Sequence, residues 1–192
     1  MNQKLYCPFC ADEREIIIKT VNESYPVKGE DIEITANVSI CTACGNEIWN
    51  EDLDTQNLKN AFDVFRSKHG LLTPKQIKGI RDKYGISQTT FARALGLGEK
   101  TITRYERGSL QDRAHNGLIS LADKPDAFKH LVELNKELLS ESEFHMLIER
   151  LGAFRIKTIE RTPSDGTVNY TNRSQYVYNV FPNYFGGLNN AG

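Results

Sequence analysis

All four cysteines of the chain lie within its first 44 residues, in two pairs of equal spacing: Cys7-Pro8-Phe9-Cys10 and Cys41-Thr42-Ala43-Cys44. A C-x-x-C step is a tight turn that points both sulfurs at one spot. Two such turns can place four thiolates at the corners of a tetrahedron, the geometry Zn²⁺ takes in closed structural sites. Gly45, directly after the second pair, suits the backbone reversal that such a knuckle requires. A single redox-active C-x-x-C is the competing chemistry, but it leaves the second pair unexplained and lacks a βαβ setting. The expected cofactor is therefore one Zn²⁺ held by Cys7, Cys10, Cys41 and Cys44. Four protein ligands leave no open coordination position, so this metal would hold the fold and not catalyse.

A second group of residues carries charge. Residues 1–68 contain 7 Lys/Arg and 12 Asp/Glu, a net of −5, whereas residues 69–113 contain 9 and 4, a net of +5. An acidic block beside a compact basic one points to two partners of opposite charge. Within the basic block, Ser87 can cap a short helix that Gly96 closes, and a turn leads to a second short helix ending at Gly108. Two short helices joined by a glycine-bearing turn read as a helix-turn-helix, whose second helix can enter a DNA major groove. Ile102 and Tyr105 must face the core. Lys100, Thr101, Thr103, Arg104 and Arg107 are then left pointing outward, with Lys100 and Arg104 one i,i+4 step apart. The bland alternative is a solvated helix pair, which the scarcity of balancing acids (Glu99 and Glu106 alone in 98–108) argues against.

The elements that position these groups can be read from periodicity. Ile32, Ile34, Ala36, Val38 and Ile40 alternate with polar residues, which predicts a half-buried strand. Arg14 to Val21 reads as its antiparallel mate, with Tyr25-Pro26 to Gly29 in the connection. A β-hairpin this small buries little core and needs its metal. From Asp54 the period changes to that of a helix, with Leu58, Ala61, Phe62 and Phe65 on one stripe, ending near His69-Gly70. Thr73-Pro74-Lys75-Gln76 is a start signal: N-cap, proline at the first helical position and capping-box glutamine. Ile77, Ile80 and Tyr84 form the buried face of that helix. Further on, a helix beginning near Pro125-Asp126 carries Phe128, Leu131, Val132, Leu134, Leu138 and Leu139. Another, capped at Ser140, carries Phe144, Leu147, Ile148 and Leu151 and stops at Gly152, with Phe154 to Ile159 as a short strand.

Composition excludes several classes. Apolar residues make up 39% and charged residues 26%, too apolar for wholesale disorder. No apolar run approaches the roughly 20 residues that span a bilayer, and the first residues resemble no signal peptide, so a cytoplasmic location without membrane contact is expected. His69, His115, His130 and His145 have no sequence neighbours that would make them bases or ligands. Paired catalytic carboxylates, nucleophile motifs and phosphate loops are not found, and an enzyme is not expected.

The segments Ser87-Gln88-x-x-Phe91-Ala92 and Thr103-Arg104-Tyr105-Glu106-Arg107-Gly108 resemble the xenobiotic-response-element (Cro/C1-type) helix-turn-helix family. With two cysteine knuckles in front, residues 5–125 resemble the MqsA family, antitoxins of bacterial type II toxin–antitoxin pairs with a YgiT-type zinc finger. The resemblance implies a division of labour, in which the zinc domain grips a cognate toxin, a ribonuclease. The helix-turn-helix forms a homodimer on a palindromic operator in double-stranded DNA and represses the operon. In that family an Asn and an Arg one turn apart read bases; Arg104 matches the Arg, while Lys100 stands in place of the Asn. Gln88 falls where relatives contact the DNA backbone or a base edge. Glu106 matches a glutamate that pairs with an arginine in the first helix of the domain, here Arg81.

The fold class expected is α+β, with a small N-terminal zinc-ribbon-like hairpin domain and an all-α helix-turn-helix domain. Extra C-terminal helices and a polar aromatic tail follow. The boundaries are 1–53 for the zinc domain, 54–72 for a linker helix, 73–125 for the DNA-binding domain, 126–161 for C-terminal helices with a strand, and 162–192 for an Asn/Tyr-rich tail. A phage or mobile-element repressor without a toxin, and a zinc-module protein-interaction adaptor, stand as alternative functions.

Overall fold

The computed structural model of the chain describes residues 3–159, and side chains as far as Ala153. The Asn/Tyr-rich tail lies outside the described residues. The N-terminal part is a four-stranded antiparallel sheet in the order β1-β2-β3-β4, from β1 (Lys4–Cys7), β2 (Asp12–Val27), β3 (Glu30–Cys41) and β4 (Glu47–Ile48). Helices follow: α1 (Glu51–His69), α2 (Pro74–Lys83), α3 (Gln88–Ala94), α4 (Thr101–Glu106), α5 (Arg113–Ala122), α6 (Pro125–Leu134) and α7 (Glu141–Ile159), with one turn of 3-10 helix at Lys136–Leu138. This is the expected α+β class.

The hairpin is longer than the alternation suggests. β2 pairs with β3 from Ile16↔Cys41 to Val27↔Glu30, so Tyr25 and Pro26 belong to the strand and the connection shrinks to Lys28-Gly29. Both turn residues have positive φ, 51° and 82°, as a two-residue turn matching the strand twist requires. Proline is tolerated because β1 covers β2 only near Asp12–Glu15. At Pro26 the outer side of β2 is an edge, where a missing N–H breaks no ladder bond.

The face of β3 carrying Ile32, Ile34 and Ala36 packs on α1 through Ala61 and Phe65. α1 starts at Glu51, earlier than the Asp54 stripe indicates, because the side chain of its N-cap Asn50 accepts from the N–H groups of Asp52 and Leu53. A polar device fixes the helix on the strand edge. Asn57 is 1% exposed; its Oδ1 accepts from the Asn37 N–H at 3.1 Å and its Nδ2 donates to the Asn37 C=O at 2.9 Å. The carboxamide thus replaces the missing peptide unit of a neighbouring strand. Asn57→Leu would leave both groups unpaired and should lower stability by about 1–3 kcal/mol, read as a shifted urea midpoint at unchanged slope.

The helical core gathers Ile77, Ile80, Tyr84, Phe91, Ala92, Ile102, Ile119, Phe128, Val132, Leu147 and Leu151. The capping box at Thr73 forms as the sequence indicates. α5 carries Ile119 and Ala122 on its inner face, one i,i+3 step apart. It is set by Asp112, which accepts from the His115 N–H at 2.8 Å, and by the burial of Asn116, Ile119 and Ala122. Three expectations at the C-terminal side are corrected. α6 ends at Leu134 because Asn135 leaves helical geometry, so Leu138 falls in the 3-10 turn and Leu139 in extended backbone. Gly152 does not end α7, and residues 154–159 are helical, not a strand. A glycine stops a helix when it turns left-handed, and Gly152 keeps negative φ inside a helix anchored by Leu147 and Leu151.

Candidate metal centre and nucleic-acid interface

The antiparallel pairing that brings Cys7 level with Asp12 on β2, and Cys41 level with Ile16, draws the two knuckles to one end of the sheet. The four Sγ atoms of Cys7, Cys10, Cys41 and Cys44 all lie within 4.8 Å of one another, and Cys7 and Cys44 approach to 3.6 Å. Sulfurs about 2.3 Å from a tetrahedral zinc sit roughly 3.8 Å apart, so the donor set fits one Zn²⁺. Each knuckle ends on a left-handed residue, Ala11 at φ 53° and Gly45 at φ 75°. The Gly45 N–H closes the second turn on the Cys41 carbonyl at 2.9 Å. Cys7 and Cys41 are buried against Ile16 and Ile48, while Cys44 faces solvent. The Asn46 backbone N–H, hydrogen-bonded to the Cys44 sulfur, draws that thiol down to about 6. Cys10, sharing a hydrogen with Cys44, is pushed up to about 12. A bound Zn²⁺ would take all four sulfurs as thiolates and displace their protons.

The second site is built around α3 and α4. Ser87 caps α3, Gly96 turns left-handed at φ 70°, and α4 follows with Ile102 and Tyr105 buried. Lys100, Arg104 and Arg107 are exposed, and Thr101 and Thr103 are half-buried. Among the described residues these three cations form no ion pair. By contrast, other arginines of this part are engaged: Arg93 with Glu99 and Glu143, and Arg81 with Glu106. The Arg104 N–H bonds the Lys100 carbonyl at 3.1 Å, so the two side chains leave successive turns of one helical wall.

Arg81 grips Glu106 with two bonds, Nε to Oε1 at 2.7 Å and Nη2 to Oε2 at 3.0 Å, as the resemblance implies. Gln88 is not free. Its Nε2 donates to Glu106 at 2.7 Å and its Oε1 accepts from the Thr103 hydroxyl at 2.8 Å. Periodicity cannot reveal such a polar chain. Nor does it reveal the groove beside α4, whose charged lining is Lys59, Asp63 and Arg66 of α1, Lys75 of α2, and Glu106 and Arg107. Two histidines also find partners unread in sequence: His69 reaches Glu30 at 2.7 Å, and His115 meets the Tyr105 hydroxyl at 2.6 Å.

Fold and site together define a zinc-ribbon-like β module joined to a helical domain with a basic face. The family described as the antitoxin component of bacterial toxin–antitoxin systems, MqsA, matches the chain over residues 5–138. The chain belongs to this family of antitoxins, and the cluster of Cys7, Cys10, Cys41 and Cys44 is a donor set that fits one structural zinc. No curated protein matches the sequence. α7 lies beyond the family match yet packs into the helical core through Leu147 and Leu151.

Proposed function

We propose that this antitoxin is also a sequence-specific DNA-binding repressor. The α3-turn-α4 unit acts as a Cro/C1-type helix-turn-helix, two copies dimerise on a palindromic operator, and the acidic zinc module grips a basic toxin. The carrying observation is the exposed set Lys100, Arg104 and Arg107 at α4, which forms no ion pair among the described residues, beside Arg81 and Arg93, which do. A groove with Lys59, Lys75 and Arg107 on its wall suits the phosphate backbone that flanks a bound helix. Among the described residues no helix is long and apolar enough to cross a membrane, which is compatible with action in the cytoplasm on DNA. A binding role accounts for the exposed cations without catalysis. The test has two arms. The zinc-loaded chain should shift a fragment of its own promoter with steep salt dependence, and it should co-purify with the product of the adjacent reading frame. Promoter binding without co-purification would leave a repressor with no toxin, and failure of both arms would overturn the reading.

A further inference from the structure

The hydrogen bonds around Gln88 fix a direction as well as a position. Arg81 is a cation with donors only, so Glu106, caught by its Nε and Nη2, is the ionised acceptor. The side chain of Glu106 is 6% exposed. Its Oε2 takes a further bond from Gln88 at 2.7 Å, and a carboxylate can only accept, so the amide nitrogen of Gln88 must face it. The opposite end of the carboxamide, Oε1, then faces Thr103 at 2.8 Å and is itself only an acceptor. The single hydroxyl proton of Thr103 is consequently spent on Gln88. This also explains why Thr103 does not make the common bond back to a carbonyl of the preceding helical turn. What Thr103 offers outward, from the wall of α4 and one residue before Arg104, is a pair of lone pairs and a methyl group.

We infer that Thr103 is a specificity-determining residue that acts as an obligate hydrogen-bond acceptor, and that Gln88 is its positioning residue, not a DNA contact. The inference rests on the DNA-binding reading above. Phosphate oxygens are acceptors and cannot bond an acceptor, so Thr103 is barred from the role most hydroxyls take at a DNA surface. In the major groove the donors are the N4 amino group of cytosine and the N6 amino group of adenine, whereas guanine and thymine present O6, N7 and O4 as acceptors. Thr103 therefore selects an A or C on the strand it faces, beside the base held by Arg104, and rejects the inverted pair. A buried ion pair thus reaches the operator as a base preference, through a relay that runs Arg81, Glu106, Gln88, Thr103.

The experiment is selection of binding sites from random-sequence duplex DNA by the full-length zinc-loaded chain, followed by competition measurements on single-base-pair changes in the selected site. Wild-type protein should show one position per half-site, adjacent to a guanine, where A or C is favoured over G or T by about three- to tenfold, the range of one hydrogen bond. Thr103→Val, which keeps shape and methyl group, should lose that preference at that position alone. Thr103→Ser should retain it. Gln88→Ala should free the hydroxyl to donate, so that G and T become as acceptable as A and C while preferences elsewhere persist. Uniform loss of affinity for all sequences in Thr103→Val would overturn the inference and leave Thr103 a brace between helices. A wild-type preference for G or T at that position would overturn it as well. Enrichment of no sequence at all would instead remove the DNA-binding reading on which it stands.

Discussion

Cys41→Ser is expected to unfold the N-terminal sheet while the helical domain stays folded. Structural zinc in small cysteine sites contributes on the order of 10–16 kcal/mol to folding at neutral pH, far more than a four-stranded sheet of this size can replace. The local core beside the metal is Ile16 and Ile48 with the cysteines themselves, so the loss of one ligand removes both the cross-link and its packing. The damage should spread as far as α1, because Ala61 and Phe65 are buried against Ile34 and Ala36 and lose that support. It should stop there. The core from Leu72 to Leu151 shares no buried residue with the sheet, and α2 begins from its own capping box. Metal analysis should give about one Zn²⁺ per wild-type chain and none for the variant, and amide exchange should show protection lost before Leu71 and kept after it. Acid should mimic the substitution. Protonating thiolates competes with the metal, so zinc release and loss of sheet protection should coincide as pH falls. A sheet that kept its protection in Cys41→Ser would show that the hairpin folds without its metal.

How much of this was legible in sequence follows from what makes each feature local. The metal ligands were fully legible, since C-x-x-C spacing and turn geometry are the same information. Thr73, Ser87 and Ser140 announced their helices for a like reason: a cap satisfies N–H groups two or three residues away. The misses are non-local or context-dependent. Pro26 was placed in a connection because proline disfavours strands, and only the absence of a neighbour on that side of β2 permits it. Gly152 was read as a stop because glycine permits left-handed turns, although permission is not compulsion once Leu147 and Leu151 anchor the helix. Asn57 joins residues 20 positions apart, and Gln88 with Thr103 joins residues 15 apart. Polar partnerships at that range leave no periodic trace. Gln88 shows the consequence most clearly: its position in the motif suggests a DNA contact, and its hydrogen bonds to Glu106 and Thr103 carry no sign in that motif.

Arg104→Ala is expected to abolish operator discrimination while leaving weak, salt-sensitive binding to any DNA. Arg104 is exposed on the wall of α4 away from Ile102, which is fully buried, and no carboxylate holds its guanidinium among the described residues. Arginine is the best geometric match for the O6 and N7 edge of guanine, which it holds with two parallel hydrogen bonds. Losing such a pair costs roughly 1–3 kcal/mol, and in a two-fold dimer each loss counts twice, giving about 2–6 kcal/mol per operator. Lys100→Ala should cost less, because a single ammonium at the first turn of α4 serves a phosphate as readily as a base. The two variants should therefore differ in kind. Arg104→Ala flattens the ratio between operator and scrambled DNA, while Lys100→Ala lowers both affinities and reduces the salt slope by about one per protomer. Lys100→Ala leaves both Arg104 and the Arg81–Glu106–Gln88 relay in place, so the preference assigned to Thr103 should survive in that variant. Gel-shift titrations of the two variants on operator and scrambled duplexes at several salt concentrations separate these outcomes. Equal loss on both DNAs in Arg104→Ala would make Arg104 a phosphate contact and move base reading to the residues around Thr103.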